Sequence, residues 1–324
     1  MLFKTLRSYF RKLGGMRMVR FYAKNGLLWP MAKEVLSNPF RRQSYKKAYS
    51  SALKKVEPIL MERYSPLMKE RKDYYRGLSL EHQRSNIIWF CWLQGLEQAP
   101  AVVQMCYDSL CRELPDRELR VVDEKNWKDY VSLPDYIVQR WEKKQMPAPH
   151  FTDLIRLQLL IAYGGSWIDS TVFCTGLTPQ NEQQTRSFLD ADLFMFQYTL
   201  AGGGPWGGIG NWFITSCTNN NVLLVLRDML FDYWKDYDFI VDYFIFHLFF
   251  SMLRDVFPTE IAAMPYGYAG NSVWLGYHLG SRFDGKTWNR LTTNVAFHKL
   301  TYNVRTEVVK WEGNYYHYLV SESL

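Results

Sequence analysis

Residues 150–176, HFTDLIRLQLLIAYGGSWIDSTVFCTG, constrain the fold of this chain more than any other stretch. Leu154, Leu157, Leu160 and Ile161 recur at helical spacing, which predicts a helix with a buried stripe. His150, Asp153 and Arg156 stand three apart and share a different face of that helix. Gly164-Gly165 ends it, because glycine takes the backbone angles of a helix terminus without steric penalty. A short apolar run then leads to Asp169, Ser170 and Thr171. The expectation is a helix, a glycine turn and a strand that delivers a carboxylate at its end. Such a carboxylate suits a divalent cation or a sugar hydroxyl, although a lone aspartate after a strand also serves as an ordinary turn residue.

The segments around it read as an α/β domain. Asn86 to Trp92 is a compact apolar run with the signature of a buried strand, and residues 101–113 follow as an amphipathic helix. Leu119 to Val122 predicts a second strand ending at Asp123, residues 125–144 are mixed helical, and DLFMFQ (192–197) and NWFI (211–214) predict further strands. Strands alternating with helices indicate an open sheet with crossover connections, whose ligands gather at the carboxyl ends of the strands. Trp92, Asp123 and Asp169 emerge there.

Four features leave alternatives open. The glycine-rich stretch 202–208 lacks the spacing of a phosphate cradle and reads as an active-site loop or a surface turn. Residues 221–235 predict a helix, and Asp238 to Leu253 a strongly apolar one, too short to span a bilayer. Asp242 and His247 interrupt its apolar surface, so each is either satisfied internally or turned to a cleft. His298-Lys299, after an apolar strand, offers a metal ligand beside a phosphate partner, or simply faces solvent.

Charge divides the chain. Residues 1–86 hold 20 Lys and Arg against 6 Asp and Glu, and the remainder holds 19 against 26, giving a net +14 and −7 within a total of +7. We therefore separate a basic helical N-terminal extension (1–86) from the body (87–324). Leu2, Leu6, Phe10 and Leu13 form one stripe with basic residues largely off it, the pattern of a helix lying in a bilayer interface. A second basic helical stretch, from Arg41 to Arg76, is expected to break at Pro58 and Pro66. An anionic membrane surface fits this extension; the alternative is a solvated extension packed on the body. Nucleic acid fits the extension less well and is not expected as the partner, since no zinc finger, helix-turn-helix or RRM signature is present. The five cysteines form no CxxC pair, and no spanning or secretory segment is evident, so a reducing, cytoplasmic setting is expected.

Taken together, IIWFCWLQGLEQAP with the CYDSL helix (87–110), LPDYI (133–137), the 150–176 segment, NWFI, DYFIFH (242–247) and FHKLTY (297–302) resemble the capsular polysaccharide synthesis protein family. That group is related to the DxD-containing sugar transferases of glycosyltransferase family 32. The resemblance implies a GT-A fold, with a nucleotide-binding half joined to an acceptor half around a mixed sheet. It implies transfer of a hexose, galactose among the candidates, from a UDP-linked donor with retention. The acceptor would be a lipid-linked oligosaccharide at the inner face of the cell membrane. A non-catalytic glycan- or lipid-binding protein on the same fold is the alternative.

By the same resemblance Trp89 and Trp92 would form the uridine wall, Asp153 would hold donor-sugar hydroxyls, and Arg156 the sugar or diphosphate. Asp169 takes the first DxD position, approaching the donor and its Mn²⁺ or Mg²⁺. Thr171 replaces the second aspartate, His298 would complete the metal site, and Lys299 would approach the diphosphate. Asp242 is the candidate acceptor-side carboxylate.

Overall fold

A computed structural model describes residues 15–29, 33, 42–198 and 208–322. The amphipathic segment 2–13 and residues 202–207 of the glycine-rich stretch lie outside the described residues. The core is a five-stranded mixed sheet in the order β2-β1-β3-β6-β5, formed by β1 (Ile87–Cys91), β2 (Glu118–Val122), β3 (Gly165–Ile168), β5 (Leu193–Gln197) and β6 (Ile209–Ser216). β1 runs parallel to β2 and β3, whereas β6 is antiparallel to both β3 and β5. A separate antiparallel pair joins β4 (Val172–Cys174) to β7 (Phe297–Lys299). The α/β class and the mixed sheet expected from the sequence are both present.

Strand periodicity explains why β1 reads as one continuous apolar run. Ile87, Trp89 and Cys91 enter one hydrophobic core with Trp167, Met195 and Ile214. Ile88 and Phe90 enter a second core, on the other face, with Ile168, Phe194 and Phe213. The first face is covered by the helices Ala148–Tyr163 and Asn221–Asp236, and the second by the helix Ala101–Glu113.

The glycine turn before β3 is required by close backbone approach. Gly164 and Gly165 have φ of 64° and 87°. A Cβ on Gly165 would lie 2.3 Å from the Ile87 carbonyl oxygen, so a side chain there would separate β3 from β1. The Trp89 indole Nε1 donates to the Gly164 carbonyl (3.0 Å) and closes the same turn.

The basic helix differs from expectation. It runs unbroken from Arg42 to Gly77, through Pro58 and Pro66. Both prolines are exposed, whereas Val56, Leu60, Tyr64 and Met68, four residues apart, are fully buried. The disrupted backbone groups therefore fall on the wetted side, while the apolar stripe holds the helix to Asn221–Asp236 and Ile245–Val256. Its cations meet acids of the body: Arg63 lies 2.6 Å from Asp236, and Arg76 pairs with Glu260. The Tyr64 hydroxyl donates to Asp236 (2.9 Å) and that of Tyr75 to Asp228 (2.7 Å). Earlier in the chain, Arg17 pairs with Asp238. Among the described residues no helix is long and apolar enough to cross a membrane.

The apolar helix expected from Asp238 begins instead at Ile245 and ends at Val256. Residues 238–244 form a turn, in which the Asp242 carboxylate accepts the amide of Phe244 (3.0 Å). An aspartate that bonds its own backbone two residues on favours a turn over a helix.

Candidate active site

Asp169 leaves β3 at the carboxyl edge of the parallel strands, on the same side of the sheet as Trp167 two residues before it. That side faces the helix Ala148–Tyr163, whose polar stripe meets the carboxylate. Arg156 Nη2 donates to Asp169 Oδ1 (3.2 Å), and the Trp167 indole donates to the same oxygen (2.8 Å). The guanidinium also lies over the Trp167 ring, 4.6 Å from its centroid. Its Nη1 reaches Asp153 Oδ1 (3.1 Å) and donates to the Asn211 carbonyl. Asn211, at the start of β6, donates its side-chain amide to Asp153 Oδ1 (3.0 Å). Because β6 runs opposite to β3, its beginning lies at the same sheet edge as the end of β3.

Lys299 closes the cluster from the other side. Its Nζ donates to Asp169 Oδ2 and to Thr171 Oγ1, each at 2.7 Å. The β4–β7 register sets Lys299 opposite Val172, and Leu300 N bonds the Thr171 carbonyl (2.7 Å), so the lysine backbone is fixed over the Asp169–Thr171 turn. Asp169 and Lys299 remain a quarter exposed at the side chain, 26% and 24%, whereas Arg156 is buried at 5%. The rim is open where the lysine and aspartate meet and closed behind, where the guanidinium sits.

Two carboxylates share one guanidinium, and their environments divide the charge between them. Burial pushes the Asp169 carboxyl up. The charges of Lys299 and Arg156, with hydrogen bonds from Lys299 and Trp167, outweigh it and hold the group below its ordinary value. Asp153 lacks the lysine. Burial, reinforced by the charge of Asp169, pushes it up to about 7 against the pull of Arg156 and Asn211. Asp169 is thus the fixed anion, and Asp153 is the member that takes up a proton near neutrality.

This division has a measurable consequence. Folded Asp153 holds a proton that the unfolded chain has lost, so its contribution to stability is complete at low pH and disappears as pH rises through about 7. The slope approaches about 1.4 kcal/mol per pH unit below that point. His150, His247 and His298, each lowered to about 4 by burial, act in the opposite direction up to their ordinary value. The Asp153 part is therefore isolated as the difference in urea stability between wild type and Asp153→Asn. That difference is expected to shift against the wild type by about 2 kcal/mol between pH 5 and pH 7; a constant difference would contradict the assignment.

Several expected site residues are placed elsewhere. Trp89 is fully buried in the middle of β1, with its indole on Gly164 and its ring against Tyr130 and Tyr163, so it forms no wall for a nucleotide. A strand-centre position covered on both sheet faces cannot reach the rim. Trp92, just past the strand, does lie at the edge, packed edge-on against Tyr302 at 5.3 Å. His298 does not join Asp169 and Thr171. It is fully buried, with Nε2 against Thr175 Oγ1 (3.2 Å) and the Val295 carbonyl (3.0 Å). Consecutive residues of a strand point to opposite faces, so β7 can bring either His298 or Lys299 to this site, and it brings Lys299. Asp242 is also fully buried in its turn, away from solvent.

Other residues reach the site without having been singled out from the sequence. Trp167 was legible as the residue two before Asp169 on a strand, and Asn211 as the first polar residue of NWFI. Tyr243, half exposed, packs edge-on against His150 at 5.6 Å and senses the charges of Asp153, Asp169 and Arg156. Buried His150 Nε2, His247 Nδ1, Arg156 Nε and Trp92 Nε1 have no hydrogen-bond partner among the described residues. A recess of ≈ 230 Å³ lined by Phe188, Phe196, Tyr268 and Ser272 contains none of these groups.

The side chains of the described residues do not by themselves make a divalent-cation site. Among the described residues no three His, Cys, Asp or Glu side chains gather to hold a metal. Asp169 and Thr171 offer one carboxylate and one hydroxyl, already bridged by an ammonium.

Comparison with known proteins places the chain. The family model for capsular polysaccharide synthesis protein matches residues 37–319. The chain belongs to this family. Of the solved structures, one titled PaToxG Glycosyltransferase is similar over 82% of this chain and 95% of that chain, at 10% identity and a TM-score of 0.38. No curated protein matches significantly. The capsular polysaccharide synthesis model spans the whole basic helix Arg42–Gly77 together with the sheet, so the family extends across the composition break at residue 86.

Proposed function

We propose that this member of the capsular polysaccharide synthesis family is a glycosyltransferase. It moves a hexose from a UDP-linked donor, with retention, onto a lipid-linked oligosaccharide. The observation that carries this reading is the Asp169 carboxylate at a sheet rim, held between Arg156 and Lys299. In the reaction the bond from the anomeric carbon to the diphosphate oxygen breaks and its electron pair leaves on the phosphate. The acceptor oxygen forms the new bond, and its proton passes to the departing diphosphate. Preorganised cations lower the barrier to that departure because they meet charge as it develops. Lys299, partly exposed, suits the diphosphate; Arg156, buried behind, orients Asp169 and Asp153. Asp169 stabilises positive charge on the sugar ring, and Asp153 holds a sugar hydroxyl. Trp92 and Tyr302 provide the aromatic surface for the base.

An inner membrane face agrees with the lipid-linked acceptor. Met16, Leu28 and Trp29 are exposed near the start of the described chain, and the stripe of 2–13 precedes them. The test is a panel of UDP-hexoses incubated with the purified full chain. UDP release from at least one donor is expected, whereas a glycan- or lipid-binding protein would release none.

A further inference from the structure

We propose that the Lys299 ammonium takes the place of a divalent cation at the Asp169–Thr171 position, so that donor binding and transfer proceed without metal. The inference rests on the transferase reading above and extends it to the source of positive charge.

Three observations carry it. First, Lys299 Nζ sits 2.7 Å from both Asp169 Oδ2 and Thr171 Oγ1, side-chain oxygens of the two residues expected to hold the metal. Asp169 Oδ1 is meanwhile taken by Arg156 and Trp167. A metal would have to displace a doubly bonded ammonium and would gain one carboxylate oxygen and one hydroxyl. Mg²⁺ is held by one or two carboxylates together with waters and substrate phosphates, and the one carboxylate oxygen left for it here is already paired with the ammonium.

Second, the local charge is wrong for a dication. Asp153 and Asp169 are the carboxylates of the cluster, and Arg156 and Lys299 balance them even when both are ionised. Any proton held by Asp153 makes the sum positive. A neutral rim gives Mn²⁺ or Mg²⁺ no net attraction, and a cationic one repels them and attracts a diphosphate.

Third, the position of the lysine is built into the fold. β7 pairs with β4 immediately after the Asp169–Thr171 turn, and strand alternation sends His298, the remaining candidate ligand, into the interior. Thr171 is itself buried, so its hydroxyl is committed to the lysine and not to solvent. A lysine suits this task because its compact charge carries three donors on a flexible stem. It can hold Asp169 before the donor binds and share its protons with the diphosphate afterwards.

The experiment compares the full-length wild type in EDTA with the same protein in added Mn²⁺. UDP binding is read by calorimetry and UDP release from the UDP-hexose panel by a coupled assay. Binding and release in EDTA within about twofold of the Mn²⁺ values are expected. Lys299→Met should weaken UDP binding by about tenfold or more, and Lys299→Arg should recover part of it. Binding and release that vanish in EDTA and return with Mn²⁺ would overturn the inference and leave the transferase reading standing. Failure to bind UDP in either condition would overturn both. The wild-type comparison decides the matter even where a Lys299 variant fails to fold.

Discussion

Asp169→Asn is expected to lower UDP release from the active donor by about 1,000-fold, with a far smaller change in donor KM. The substitution is isosteric, so it isolates the charge. It turns the anion that anchors Lys299 and Arg156 into a neutral amide, whose NH₂ faces a cation on whichever side it lies. The ammonium is then no longer held over the rim, and the sugar ring loses its facing carboxylate. Both losses matter most in the transition state, so kcat falls and KM changes little. A variant within about tenfold of wild type would show that Asp169 is a structural turn residue.

Arg156→Met carries the second large effect, on stability. The guanidinium is 5% exposed and touches both carboxylates, the Asn211 carbonyl and the Trp167 ring. Removing one partner of a buried ionic cluster leaves charge uncompensated and costs about 3–5 kcal/mol. Here Asp153 and Asp169 would be left with Lys299 alone. The expected loss in urea unfolding at pH 7.5 is of that size, and it shrinks at pH 5, where a protonated Asp153 relieves the repulsion. Arg156→Lys should recover only part of it, because an ammonium cannot span three acceptors and stack on the indole. A loss below about 1 kcal/mol would mean that the cluster contributes nothing net to the fold.

Much of this site was legible from residue pattern. The helix of 150–163, the glycine turn and the strand before Asp169 follow from spacing and from glycine stereochemistry, and the helix Ala101–Glu113 has the bounds its apolar periodicity indicates. What escaped depended on tertiary pairing. Trp89 and Trp92 look equivalent in an apolar run, yet only Trp92 lies beyond the strand end. His298 and Lys299 look like a joint ligand set until the β4–β7 ladder imposes alternation on them. Pro58 and Pro66 signal breaks, but the stripe from Val56 to Met68 packs hard enough to carry the helix through. Asp242 reads as a polar intrusion in a helix because local sequence does not reveal that its side chain closes a turn.

The most direct test of the central claim is a crystal structure of the full chain with UDP bound. The account predicts the diphosphate at the Asp169 rim, within hydrogen-bond reach of Lys299 Nζ, and the uracil against Trp92 and Tyr302. A nucleotide seated elsewhere on the molecule, with the Lys299–Asp169 bridge untouched, would contradict it.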